Sequence, residues 1–196
     1  EAINQAISTV VDDNLKMDYV SAKYLKNVII DGNDVSLTIE MGYHAKSLHE
    51  FIVNRVTAAL RKIDGIGSVH VDIATKILTH EVQRGVKPLA GIKNIIAVSS
   101  GKGGVGKSTT TANLALALRA EGARVGILDA DIYGPSQPSL MGISEKPVSS
   151  DGKNMDPIIQ YGLQLMSIGF MMDSVQPLAW RAPMITQAVM QLLQQT

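Results

Sequence analysis

The sequence predicts an α/β chain in two parts, a small α+β unit followed by a parallel-sheet unit whose set of strands is incomplete. Three observations carry that expectation. Up to residue 80 the hydrophobic periodicity runs in the order α-β-β-α-β. From Asn94 onward, short continuously apolar runs flank a glycine-rich loop and a helical stretch, as in strands buried on both faces. Between them, THEVQRGVKPLAGIKN (79–94) loses its periodicity and is punctuated by Gly85, Pro88 and Gly91. The expected division is therefore a domain over 1–80, a linker over 81–92 and a second domain over 93–196. At 45% hydrophobic and 18% charged residues, the 196-residue chain has the apolar material for such cores.

In the first part, residues 2–15 read as a short helix. KNVIIDGNDVSLTIEM reads as two strands around the turn Asp31-Gly32-Asn33-Asp34, a hairpin signal that lacks the ligand pattern of a calcium loop. Residues 46–62 follow as a helix with Leu48, Phe51, Ile52, Val56, Ala59 and Leu60 on one stripe. GIGSVHVDIATKI is the third strand, closing a unit of about 80 residues, near the lower size at which a domain folds alone. In the second part, NIIAVSS is a buried strand, KSTTTANLALALRAEG a helix stopped by Gly122, and RVGILDAD a second buried strand. Strand, loop, helix and strand make a βαβ unit with a right-handed crossover. MDPIIQ and YGLQLMSIGFMM are two further strands after the turn SSDGKN. APMITQAVMQLLQQT is a closing helix with Met184, Ile185, Ala188, Val189, Leu192 and Leu193 on its core face.

Composition excludes several function classes. Lysine plus arginine equals aspartate plus glutamate at 18 each, so no nucleic-acid partner is implied. Cysteine is absent, which removes disulfides and thiolate metal sites from this chain and fits a reducing compartment. His44 and His49 lie about 140° apart around a helix and do not converge, and with His70 and His80 they read as structural. No apolar run approaches the roughly 20 residues that span a bilayer. The first residues lack a signal-peptide pattern, and the missing initiator methionine suggests a partial chain.

Chemistry concentrates in GKGGVGKS (101–108), which satisfies G-x-x-x-x-G-K-[ST] between an expected strand and an expected helix. A chance match in a chain of this length is on the order of 1%, given average glycine usage. Gly101, Gly103, Gly104 and Gly106 free the backbone to aim successive N–H groups at phosphate oxygens, and the helix N-terminus adds partial positive charge. Lys107 supplies a full charge toward the β and γ phosphates, and the Ser108 hydroxyl suits Mg²⁺. The loop as a whole, with Lys102, Val105 and Thr109 included, is the expected nucleotide-binding set. This makes the second part a P-loop NTPase-type sheet. At the end of RVGILDAD, Asp129 and Asp131 would face the phosphate crevice, one for a magnesium-bound water and the other for the attacking water; they also read as ordinary solvated strand-end acids.

The doubled-lysine loop SGKGGVGKST, together with ILDADIYGPSQP and PLAWRAPM, resembles the Mrp/ApbC family of P-loop ATPases that act as iron–sulfur cluster carriers. The first part resembles the small domain that precedes the ATPase in bacterial members, so the resemblance covers almost the whole chain. Among the wider deviant Walker ATPases, it implies that Lys102 acts in trans on the nucleotide of a homodimer partner and Lys107 within its own subunit. It further implies that Asp131 positions water and that Asp129 lies in the Mg²⁺ shell through water. A solvated, non-catalytic Lys102 is the alternative. Also implied are ATP and Mg²⁺ as cofactors, an iron–sulfur scaffold and apoprotein clients as partners, no membrane partner, and a cytoplasmic location.

Two departures qualify it. The family's downstream C-x-x-C and its D-x-P-P-G-T-G-D stretch are both absent, so the chain reads as a fragment or a truncated product, with any cluster held by cysteines outside it. Ala182 replaces the glycine common in W-R-G-P-M. The function implied is an ATP-hydrolysing iron–sulfur cluster carrier; the alternatives are a positional or partition ATPase switch and a non-enzymatic assembly scaffold.

Overall fold

The computed structural model describes residues 1–80, 89–171 and 182–194. They divide between Ile96 and Ala97 into two compact units. Residues 81–88, most of the expected linker, lie outside the described residues.

In the first unit, helix α1 (Ala2–Ile7) buries Ile3 and Ile7. It is shorter than expected. The Ser8 and Thr9 hydroxyls turn back onto the carbonyls of Gln5 and Ala6 at 2.8 and 2.7 Å, and the β-branched Val10 and Val11 follow. Two-residue strands β1 (Val11–Asp12) and β2 (Met17–Asp18) then pair antiparallel. Neither is visible in the sequence periodicity. The hairpin forms as expected, with β3 (Leu25–Asp31) and β4 (Asp34–Met41) around Gly32, whose φ of 59° suits a residue without Cβ. Along β4, Val35, Leu37, Ile39 and Met41 all point into the core.

Helix α2 (His49–Leu60), entered through a 3-10 turn at Lys46–Leu48, buries Ile52, Val56, Ala59 and Leu60. Phe51, expected on that stripe, is 50% exposed, with the Arg55 guanidinium 5.3 Å from its ring centre. A cation–π contact on the surface replaces core packing there. Strand β5 (Val69–Thr75) runs parallel to β4, from Val35↔Val69 to Met41↔Thr75, giving the order β3-β4-β5. Beneath the sheet's edge, buried Asp12 accepts from the Tyr43 hydroxyl at 2.6 Å and from the amides of Asn14 and Leu15. Burial, with the Asp12 charge beside it, pushes the Tyr19 hydroxyl up to about 12, and burial likewise raises that of Tyr43, so both remain protonated.

In the second unit, α3 (Lys107–Ala120) ends at Gly122 with φ 98°. It is followed by β6 (Gly126–Asp129), the one-turn helix α4 (Gln137–Leu140), β7 (Ile158–Gln160), β8 (Leu163–Ser167) and α5 (Ala182–Gln194). The sheet order is β6-β8-β7, with β6 and β8 parallel and β7 antiparallel to β8. The core joins Ala112 and Ala115 of α3 to Ile127, Met141, Leu163, Leu165 and Phe170. On α5, Ala188 and Leu192 are buried while Met184 is 51% exposed; the side chain of Ile185 lies outside the described residues.

One expected strand is missing. NIIAVSS forms no strand with any of the described residues, and Ile95 and Ile96 are 68% and 62% exposed. A strand buried on both faces needs neighbours to bury it, and β6 pairs with β8 instead, from Gly126↔Gln164 to Asp129↔Ser167. The parallel pair is thus β6–β8, and the expected βαβ unit keeps only its loop, helix and second strand.

The burial contrast on α2 is directly testable by urea unfolding. Leu60→Ala should destabilise the first unit by about 3 kcal/mol, while Phe51→Ala should cost about 1 kcal/mol or less. Equal losses would contradict this placement of the helix.

Candidate functional site

The site begins where the loop becomes a helix. Gly104 and Gly106 adopt φ of 72° and 89°, in the left-handed region, and Gly106 caps the start of α3. The amide of Thr110 then donates to the Gly106 carbonyl at 2.8 Å, closing the first helical turn. Gly101 and Gly103 take no such conformation, and a Cβ on either would meet open space. Only two of the four loop glycines are therefore required by the backbone itself. Upstream, the Ser100 hydroxyl donates to the Lys102 carbonyl at 2.7 Å, making a tight local turn.

A cleft of about 450 Å³ opens against the start of α3. Gly104, Gly106, Lys107, Ser108 and Thr109 form one wall, and Asp131, Ser136, Ser139 and Leu140 from the segment after β6 form the other. The fold thus brings together Lys107, Ser108 and Asp131, three residues singled out from sequence. Gly101, Lys102, Gly103, Val105 and Asp129 do not line this cleft. Lys102 is exposed, as is Val105 at 55%.

Asp129 does something other than face the crevice. It is 6% exposed, and its Oδ2 accepts from the amides of Ser136 and Gln137, both at 3.0 Å, and from the Ser167 hydroxyl at 3.3 Å. Its Oδ1 accepts from the Asp131 amide at 3.2 Å. Three donors crowd Oδ2 and one meets Oδ1, so of the roughly four lone-pair sites of a carboxylate only one, on Oδ1, is left for a metal-bound water. Asp131, in contrast, is exposed and uses Oδ1 to accept from the Gly134 amide at 3.1 Å.

The two walls are fastened to each other by Gln137, which is 4% exposed and donates from Nε2 to the Ser108 carbonyl at 3.0 Å. Behind them, Ser167 accepts from the Gly169 amide at 3.0 Å, and Gly169 sits so close to the loop that a Cβ would come within 3.0 Å of both Pro135 and Pro138. Motif and spacing assign no role to Ser136, Gln137, Ser139 or Ser167. One local signal was available: Ser-Gln-Pro has the look of a helix start, with Ser136 at the cap and Pro138 in the first turn. Nothing local marks Ser167.

For a divalent cation, the side-chain oxygens on the cleft belong to Asp131 and to the hydroxyl residues Ser108, Thr109, Ser136 and Ser139. Among the described residues, no group of three or more histidine and acidic side chains forms a protein cage. That suits Mg²⁺, which keeps several waters and takes one or two protein oxygens with substrate phosphates. Neither the Lys107 ammonium nor the Ser108 hydroxyl has a hydrogen-bond or ion-pair partner among the described residues, so both are available to a ligand.

Asp129→Asn should destabilise the second unit by about 2 kcal/mol in equilibrium unfolding, because an amide NH₂ would face donors that now meet an oxygen. A change below about 0.5 kcal/mol would remove Asp129 as the fastening point of the cleft wall.

Comparison with known proteins gives the family of the chain. Residues 91–196, more than half of the chain, match the family described as NUBPL iron-transfer P-loop NTPase, and residues 1–73 match the family described as iron-sulfur cluster assembly protein. A relative from Pseudomonas fragi named iron-sulfur cluster carrier protein is 53% identical over 140 residues, covering 70% of this chain and 49% of its own length. The protein of the same name from Escherichia coli K12 is 43% identical over 183 residues, covering 93% of this chain and 50% of its own. That from Synechocystis is 37% identical over 199 residues, covering 100% and 56%. The chain spans about half the length of these curated relatives. Its fold is α/β, a P-loop NTPase-type unit preceded by a small α+β unit, and the chain belongs to the NUBPL iron-transfer P-loop NTPase family.

Proposed function

We propose that the whole protein binds ATP with Mg²⁺, hydrolyses it, and uses that cycle to carry iron–sulfur clusters to apoproteins. The observation that carries the nucleotide half of this reading is the convergence of Lys107, Ser108 and Asp131 on one cleft. The cluster half rests on the family and on the relatives' names. Because this chain contains no cysteine, thiolate ligands for the cluster come from outside its 196 residues.

In this reading, the amides of Gly104 and of Gly106–Thr109, with the N-terminus of α3, surround the phosphates, and Lys107 places its charge on the β and γ groups. Mg²⁺, when bound through Ser108, supplies charge neutralisation at the phosphate oxygens. Asp131 keeps Oδ1 on the Gly134 amide and turns Oδ2 to the attacking water. As the water oxygen bonds to the γ-phosphorus, the bond to the ADP oxygen breaks, and the water's proton leaves toward Asp131. Asp129 contributes mainly by holding the Asp131 segment, with one Oδ1 lone pair left for a water of the Mg²⁺ shell.

Lys102 lies outside its own subunit's cleft and is exposed, which supports a role across a homodimer on the partner's nucleotide. The amino-terminal unit, matching an assembly-protein family over 1–73, would meet the iron–sulfur scaffold or the apoprotein clients. Balanced charge gives no reason to invoke nucleic acid, and the cysteine-free composition suits the cytoplasm. Among the described residues, no helix is long and apolar enough to cross a membrane.

Measured on the full-length protein by calorimetry and phosphate release, Lys107→Ala should weaken ATP binding by at least about 100-fold. Lys102→Ala and Asp131→Ala should keep affinity within about threefold and lower hydrolysis by about 100-fold. Unchanged ATP affinity in Lys107→Ala would overturn the nucleotide reading. Wild-type turnover in Lys102→Ala would overturn its action in trans.

A further inference from the structure

Two buried side-chain oxygens lack a hydrogen-bond partner among the described residues, Ser136 Oγ and Gln137 Oε1, and they are consecutive. An unpaired buried polar atom is a standing cost to a fold, and such atoms are rare enough that each calls for a partner. Gln137 is already committed, since its Nε2 holds the Ser108 carbonyl; turning the amide over would set oxygen against oxygen. Ser136 is different. Its backbone is fixed, with the amide on Asp129 Oδ2 at 3.0 Å, while its residue lines the cleft facing Lys107 and Ser108. The position is held and the hydroxyl is not used.

Resting on the nucleotide reading of this cleft, we propose that Ser136 is a further ligand-binding residue whose hydroxyl donates a hydrogen bond to a phosphate oxygen of the bound nucleotide. The chemistry favours a donor at this point. Asp131, on the same wall, offers only acceptor oxygens, which repel a phosphate unless a cation lies between. A serine hydroxyl is the one group on that wall, besides backbone amides, that can approach phosphate without such a cation, and a χ1 step between staggered wells turns it from inward to outward. Ser139, also on this wall, is exposed and needs no partner beyond solvent.

The test uses full-length protein carrying Ser136→Ala, with two readouts: affinity for ATP and for ADP in the presence of Mg²⁺, and the Tm of the nucleotide-free form. A phosphate-binding hydroxyl predicts opposite effects, affinity at least fivefold weaker and a Tm equal to or above that of the wild type, since alanine removes an unpaired polar atom. Unchanged affinity with a lowered Tm would mean that the hydroxyl holds a buried water, and would overturn the proposal. Unchanged affinity with unchanged Tm, or an affinity loss accompanied by a lowered Tm, would also overturn it. Failure of the nucleotide reading itself looks different: the wild type would bind neither nucleotide, or would bind it no more tightly than Lys107→Ala.

Discussion

The carboxylate of Asp129 is the constraint on which the second unit's cleft depends. It is buried without a cationic partner among the described residues, and its charge is met by three backbone amides and one hydroxyl. Ionic hydrogen bonds of this kind are stronger than neutral ones, and breaking any of them in a water-poor setting leaves charge unmet. The chain from Asp131 to Leu140 therefore has little choice of path. It leaves β6, turns around the carboxylate, and returns as α4 against the start of α3. The position of Asp131 across from Lys107 follows from that turn.

Two further contacts make the arrangement specific. Gln137 couples the returning segment to the Ser108 carbonyl, so the wall bearing Asp131 and the wall bearing the loop share a hydrogen bond. Gly169 lets the turn after β8 close on Pro135 and Pro138, a spacing that any side chain at that position would force open. The strand β8 thus contributes to the site without touching it. Its parallel pairing with β6 brings Ser167 beside Asp129. Packing of a strand, a buried acid and a short helix is converted into the placement of one exposed carboxylate.

The loop was legible in the sequence because its chemistry is local. Spacing of glycines, lysine and serine over eight residues specifies a phosphate cradle wherever the chain places it, and Asp131 follows β6 by two residues. The hairpin of β3 and β4 is legible for the same reason, through its turn residues and the alternation along β4. What escaped was set by distant partners. Gln137 reaches Ser108 across 29 residues and Ser167 reaches Asp129 across 38, and no periodicity reports either pair. NIIAVSS has the composition of a buried strand, but pairing belongs to neighbours, and β6 takes β8. Asp129 is legible as a strand-end acid, but its fastening of the following segment is not: an acid facing a crevice and one folded back onto amides have the same local sequence. Phe51 shows the converse, an apolar residue at helical spacing that the arginine four residues on keeps at the surface.

The central claim, that the loop and the Asp131 segment are two walls of one nucleotide cleft, is tested most directly by hydrogen exchange of the full-length protein with and without ATP and Mg²⁺. Protection should rise together in Gly104–Thr109 and in Asp131–Leu140. Protection confined to the loop, or absent from both segments, would contradict the account.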